Sequence, residues 1–517
     1  MKANSDKSKQ SNKATRRVLA GVLCGASVLS LVLSLVMPPI SQAIANDAQT
    51  AFTEKTVMGG GSSSESTDVD NTTNGDTENQ NSDETEGDEP GDDAQLEGQS
   101  EEEQQNEDTT TSDGETVAAV AENEQTKAAA EGIDNASELK NKLESVAENQ
   151  SGSFQLMKDL DCNEEIILNK SGSNITLDLN GCKIKYSSNN NKSLFNVNNG
   201  AVFTITDSNP GADEIADPQS LQDQDQNLIA DNCGKTAEMS YVNNVPNELT
   251  YYVTKSSVDT TDSIRTNETT YKHKVKINGA IVACSSSKVN LIKLNGGTFN
   301  LQGGVLTQKN SCNVDGLIYA QNVSAVNMSG GYVCGASMGR DGAGAGIHVE
   351  GSTLVISDGV IAGNYAPSGG GVYAMNSTVN MVGGIISGNG TNKDQRGYGA
   401  GICAENSSVT ITNGYITNNK YQFYVDQETD WGHKGYGCHG GGGIAAFNGG
   451  SLKINGGYIT GNYSAEAGGG IYAGAWNKAL STFTFSGGTI ASNVAQNSEG
   501  GGIRIAAPTT GEFNVPL

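Results

Sequence analysis

The side chains able to move protons are thinly spread where this chain repeats itself. Between residues 345 and 419 the carboxylates are Glu350, Asp358, Asp394 and Glu405. Acid–base cleavage of a sugar bond needs two carboxyl groups facing one another across the substrate, and this scatter does not announce such a pair. His433, Cys438 and His439 share one Gly-rich stretch, but their spacing matches no zinc pattern, so ordinary loop residues are expected there. Asp426, Glu428 and Asp430 alternate just before them and could hold Ca²⁺ weakly; no other cofactor or metal is expected. The better candidates for recognition are aromatic. Tyr398, Tyr421, Phe423, Tyr424, Trp431 and Tyr436 stand near Asp394, Arg396, Asp426 and Asp430. Ring faces beside hydrogen-bonding groups suit a sugar or a protein partner; the same rings could instead fold back as a cover.

A repeat supplies the elements that must position these residues. Gly-apolar pairs recur at Gly346-Ile347, Gly371-Val372, Gly401-Ile402, Gly443-Ile444, Gly470-Ile471 and Gly502-Ile503, at spacings of 25, 30, 42, 27 and 32. Two further marks keep their order within each unit. One is Gly before an apolar residue or Thr, at Gly331, Gly359, Gly384, Gly414, Gly457 and Gly488; the other is Asn364, Asn389, Asn419, Asn462 and Asn493. Three marks separated by short β-prone runs describe three short strands per unit. If each unit makes one coil, every strand pairs in parallel with its counterpart about 4.8 Å away, and Ile347, Leu354, Ile356 and Ile361 stack inside. The expected class is therefore all-β, a solenoid. The recurring asparagines would then form a structural ladder at one corner.

Unit length varies at one place. From the Asn to the next Gly start takes 7, 12, 24, 8 and 9 residues in successive units. The two longest excursions leave the same corner of consecutive coils and carry the aromatic residues named above, so they are expected to lie side by side.

Gly-Gly-Gly-Ile-Tyr-Ala (468–473) behind Ile-Thr-Gly-Asn (459–462), with Val-x-Ile-x-x-Gly between such marks, resembles the right-handed parallel β-helix proteins of bacterial surfaces. It is also similar to the GGA(I/L/V) and FxxN repeats of polymorphic outer-membrane adhesins, with Ile or Leu often where those have Phe. ITLDLNGCKI (175–184) resembles the TIDLNG first-coil segment of such surface proteins. The resemblance covers about 135–210 and 275–517 and implies a pectate-lyase-like fold. Polygalacturonase-like members carry Asn-Thr-Asp, Asp-Asp, Gly-His-Gly and Arg-Ile-Lys motifs. Here Asp92-Asp93, Gly432-His433-Lys434, Cys438-His439-Gly440 and Arg504-Ile505-Ala506 are the nearest matches, and none is complete. The expectation is a non-catalytic, adhesin-like rod that binds a host or neighbouring-cell glycan or protein. The alternative is a carbohydrate-active enzyme of the pectin lyase or polygalacturonase kind.

The rest of the chain sets the context. Residues 1–45 read as an export signal: a Lys/Arg-rich start, an apolar run from Val18 to Met37, then Pro38-Pro39 and Ala43-Ile44-Ala45, with cleavage expected after Ala45. Uncleaved, that run could span a bilayer. Residues 46–134 are an acidic, disordered tether whose basic side chains are Lys55 and Lys127. Residues 136–149 read as an amphipathic helix capping the first coils, within 135–210. Residues 211–275 interrupt the repeat with a polar loop and a hairpin expected to project, from 248–257 and 270–278, before the repeats of 276–517. A formal net charge of −27 disfavours nucleic-acid partners. The cysteines beyond the signal form no C-x-x-C pair, so most are expected to be buried, with one or two bridges possible. The C-terminal stretch begins another coil without a cell-wall sorting signal, so continuation in a longer form or a ragged last coil is expected.

Overall fold

The computed structural model describes residues 130–512, apart from 189–191, 222–232, 260–264, 285–288, 310–315, 340–341, 393–395, 424–438, 475–479 and 507–510. Residues 1–129, which include the segment read as an export signal and nearly all of the acidic segment, therefore lie outside the described residues.

Glycine and asparagine corners cut most of the repeat into runs of two to five residues that pleat instead of coiling, sending alternate side chains to opposite faces, while Ala325–Cys334, Thr353–Ala362, Ser451–Thr460 and Thr482–Ala491 run on from the first stack into the second. In Thr378–Met381, Val379 and Met381 point in and are fully buried. Each unit contributes a strand to three parallel stacks, visited in the same order. The first stack runs through Thr353, Thr378, Ser408, Ser451 and Thr482 as registered partners. In the second, Val360 pairs with Ile385, and Ile385 with Tyr415. The third aligns Ile318, Ile347, Val372, Ile402, Ile444, Ile471 and Ile503. Among the described residues the fold is all-β apart from one helix, built of long parallel stacks, and is compatible with a parallel β-helix. Its core is one continuous apolar cluster reaching from Ile133 to Phe485, with Phe195, Phe203 and Phe299 in a tilted ring series at 4.7 and 5.9 Å.

The helix, Ala136–Ser145, starts at Asn135, whose side chain accepts the Glu138 amide at 2.9 Å, and buries Leu139 and Leu143 in the same core. It also ties an open strand edge, because Glu144 Oε1 accepts the Ile167 amide at 2.8 Å. Of the eight cysteines after the signal, six are described. Cys162, Cys182, Cys233 and Cys334 are free thiols; Cys162, Cys233, Cys334 and Cys403 are buried, and burial pushes the Cys162 thiol up to about 12.

The interruption of the repeat behaves differently from a projecting hairpin. Val245–Asp259 and Arg265–Lys276 do pair antiparallel, with Tyr252 opposite Lys272. Asp213–Leu221 and Glu238–Val242 extend them to a four-stranded sheet. The sheet leaves between a first-stack strand (Val202–Thr206) and a second-stack strand (Ala280–Ala283), then lies down on the outside of the second stack. The cause is apolar. Leu249, Tyr251 and Val253 alternate on one face and pack with Val360, Tyr332, Ile385 and Tyr415, which the parallel stack turns outward. Burying each such side chain contributes about 1.5–3 kcal/mol, which a projecting hairpin would forgo. Residues 233–241 then cross successive units lengthwise. The Cys233 thiol lies 2.9 Å from the Ser492 carbonyl, the Gly234 amide donates to Gly461 O at 2.8 Å, and the Ala237 amide to Gly388 O at 3.2 Å. Tyr241 ends the crossing by donating to Gln308 O at 2.7 Å.

Candidate binding surface

The corner between the second and third stacks is held by asparagine. Asn364 Nδ2 donates to Asn389 Oδ1, Asn389 to Asn419 and Asn419 to Asn462, each at 3.0 Å, and Asn462 to Asn493 at 2.9 Å. The same oxygens also accept the backbone amide of the preceding asparagine, at 3.0–3.1 Å. Each asparagine spends its other proton on a strand carbonyl, as Asn389 does on Ile361 O at 2.9 Å. These polar groups are buried and satisfied, so the corner is rigid. A second ladder, of serines, stands at the corner between third and first stacks. The amides of Ser324, Ser352 and Ser377 donate to the hydroxyls of Ser352, Ser377 and Ser407 at 3.2, 3.1 and 3.0 Å. Its sequence signal was a Ser two residues after Ile347–Glu350, Val372–Met375 and Ile402–Glu405 and three after Ile318–Gln321.

Both long excursions start from the asparagine corner. Gly390 bridges to Lys420 where they leave, and Tyr398 to Gly440 where they return, so their described ends are neighbours. Tyr424, Asp426, Trp431 and Tyr436 lie outside the described residues, as do Asp394, Glu428, Asp430, His433 and Cys438. Tyr421 is fully buried and Phe423 nearly so, packed with Ala400. Tyr421 thus offers no ring face to a ligand: of the two readings of these aromatics, folding back holds for it, because the short pairing of Lys420–Tyr421 with Tyr463–Ser464 turns its ring inward. Tyr398 is half-buried and lies 4.5 Å from Phe447, 5.2 Å from His439 and 6.4 Å from Tyr472 between ring centroids. Burial first, then the Arg396 charge, push His439 down to about 4, so this ring is neutral at pH 7. Among the described residues no group of three or more His, Cys, Asp or Glu could hold a metal ion.

Tyr398 is the edge of a larger feature that motif spacing did not reveal. In each third-stack strand the residue after the inward Ile or Val faces out, and parallel register places these residues in a row: Lys293, Tyr319, His348, Tyr373, Cys403, Ala445, Tyr472 and Arg504. His348 sits edge-on between Tyr319 and Tyr373, at 5.1 and 4.9 Å. A second row two residues on holds Gln321, Glu350, Met375, Glu405 and Phe447. The rows are stitched together diagonally: Tyr319 donates to Glu350 Oε2 and Tyr373 to Glu405 Oε2, each at 3.0 Å. Tyr319, Tyr373, Glu350 and Glu405 are all half-buried, leaving ring and carboxylate partly open to solvent. The result is a stripe of two partly open tyrosine rings, two strand steps apart on either side of the buried His348, each fixed to a carboxylate; further along the row Cys403, Ala445 and Tyr472 are covered. The signal was present in the Ile-Tyr-Ala, Ile-His-Val and Val-Tyr-Ala words, once period-two alternation assigned their middle residue to the outside. Compared with protein-family models, curated proteins and solved structures, the chain matches none of them, so the reading of this surface stands on its geometry.

Proposed function

We propose that the chain is an exported, surface-displayed right-handed parallel β-helix that binds a glycan of a host or neighbouring cell without turning it over. The right hand follows from the strong preference of parallel crossover connections. The export signal of 1–45 and the acidic tether of 46–134 support display away from a surface. One observation carries the binding role: the half-buried Tyr319 and Tyr373 rings, held apart by the buried His348, with Glu350 and Glu405 fixed beside them. Tyrosine faces take the apolar face of a sugar ring, and carboxylates accept from its hydroxyls, so an extended, uncharged oligosaccharide fits the stripe. Tyr398, 4.5 Å from Phe447, borders its far end and would add selectivity. A protein partner would use the same stripe edge-on.

A catalytic reading has one observation in its favour. Glu350 and Glu405 are two strand steps apart with Met375 between, hence about 10 Å, close to the separation of about 6.5–9.5 Å seen in inverting glycosidases. A glycan-array screen of the full secreted chain, followed by reducing-sugar and unsaturated-product assays on each bound glycan and on pectic substrates, decides. Binding without product is expected. Turnover abolished by Glu350→Gln would replace the adhesin reading with the enzyme.

A further inference from the structure

We infer that the inserted four-stranded sheet carries a second, separate site for a carboxylate-bearing sugar, a uronic acid unit. This rests on the reading of the protein as a glycan binder but uses another surface and the opposite charge. The face of the inserted sheet opposite Leu249, Tyr251 and Val253, together with residues of the lengthwise crossing, lines a cavity of about 660 Å³. That is within the range of small-molecule sites and far larger than a lone inorganic anion needs. Its floor is the ring of Tyr252. Two ammonium groups hang over that ring: Lys235 Nζ at 5.3 Å and Lys272 Nζ at 6.0 Å from its centroid. Tyr252 and Lys272 are registered cross-strand partners, whereas Lys235 arrives from the lengthwise crossing, so the pair is assembled only when the crossing docks.

Neither lysine makes an ion pair with a described residue. The contrast with the same strand is informative. Lys274 and Lys276 have Glu214 and Glu248 at registered cross-strand positions, while Lys272 has Tyr252 and Ala216. Burial, and then the nearby Lys272 charge, hold Lys235 below the usual lysine range, a cost that a bound anion would offset. In a chain of net charge −27 two lysines meeting over one ring, with Glu238 the only carboxylate among the described residues lining the same cavity, are a local exception. The rest of the cavity wall selects the kind of anion. Thr236 and Thr250 present hydroxyls, and Glu238, opposite Thr250, presents an acceptor. A carboxylate there accepts from sugar hydroxyls and repels the extra charge of a phosphate monoester. A pyranose bearing one carboxylate and several hydroxyls satisfies every group: its carboxylate lies between the lysines, its ring lies over Tyr252, and its hydroxyls reach the threonines and Glu238.

Calorimetric titration of the full chain with tri-galacturonate and with its methyl ester tests this. The acid form should bind at least about tenfold more tightly than the ester, and Lys235→Gln and Lys272→Gln should each weaken it about tenfold. Lys235→Arg/Lys272→Arg should retain binding, which separates lost charge from a lost fold. Equal affinity for the ester, unaltered binding by the glutamine variants, or inorganic phosphate binding as tightly as the trisaccharide would overturn the inference. Tyr373→Ala should leave uronate binding unchanged. Uronate binding without any neutral-glycan binding would sink only the stripe, and the reverse result only this cavity.

Discussion

Asn389 shows what a single side chain does here. Its oxygen accepts the Asn364 amide and side chain, and its nitrogen donates to Ile361 O and Asn419 Oδ1, all within a fully buried corner. Asn389→Ala leaves several buried groups without partners at once, so a loss of about 2–4 kcal/mol is expected in chemical denaturation. Asn376→Ala, at an exposed corner where φ is 52, should cost about 1–2 kcal/mol by the same measurement, from the left-handed backbone and not from buried groups. His439 supplies a pH signature. Its folded pKa, about 4, lies below the ordinary value of 6.5, so the unfolded chain takes up the proton first as pH falls. Stability from this group is therefore complete above pH 6.5 and lost progressively down to about 4, by as much as ~3 kcal/mol. Urea midpoints at pH 7 and pH 4.5 should converge more in His439→Gln than in the parent. Much of this level was legible in advance, since recurrence of Asn at one place in each unit points to a ladder. Tyr421 was not, because whether a ring at a corner faces in or out depends on a two-residue pairing too short to leave a pattern.

The corners and the inserted sheet explain why glycines that look alike in the repeat are not alike in role. Gly388 has φ +63, and a Cβ there would lie 2.4 Å from the Ala237 amide nitrogen, so it admits the lengthwise crossing of 233–241. Gly351 has φ +56 with nothing within 4 Å, and Asn376 and Asn406 hold the matching corner at φ 52 and 47. Gly351→Asn should consequently be close to neutral in a thermal melt. Gly388→Ala should cost about 1–3 kcal/mol and raise hydrogen exchange in residues 233–241. Strand existence and order could be read from Gly and apolar spacing. The seat of the inserted sheet could not, because the surface it covers is assembled from Val360, Ile385 and Tyr415, one residue from each of three turns. No local window of sequence contains that face.

Stacking makes the surface a property of register. Rows such as Tyr319, His348 and Tyr373 exist because parallel pairing repeats one position at a fixed interval, so slipping one strand by a residue would turn its tyrosine into the core. For the same reason recognition should separate by chemistry along the described units: salt should weaken ligand binding to the lysine cavity far more than binding to the tyrosine stripe, where little charge is neutralised. The most direct test is the affinity of the full chain for a neutral oligosaccharide chosen by the array, measured for Tyr373→Ala and Tyr319→Ala beside Tyr458→Ala. Tyr458 stacks on Tyr415 at 4.8 Å in a different stack and serves as the control ring. The expected result is a loss of about tenfold or more for each stripe variant and none for Tyr458→Ala. Unchanged affinity in both stripe variants, or an equal loss in the control, would contradict the assignment of recognition to the third stack.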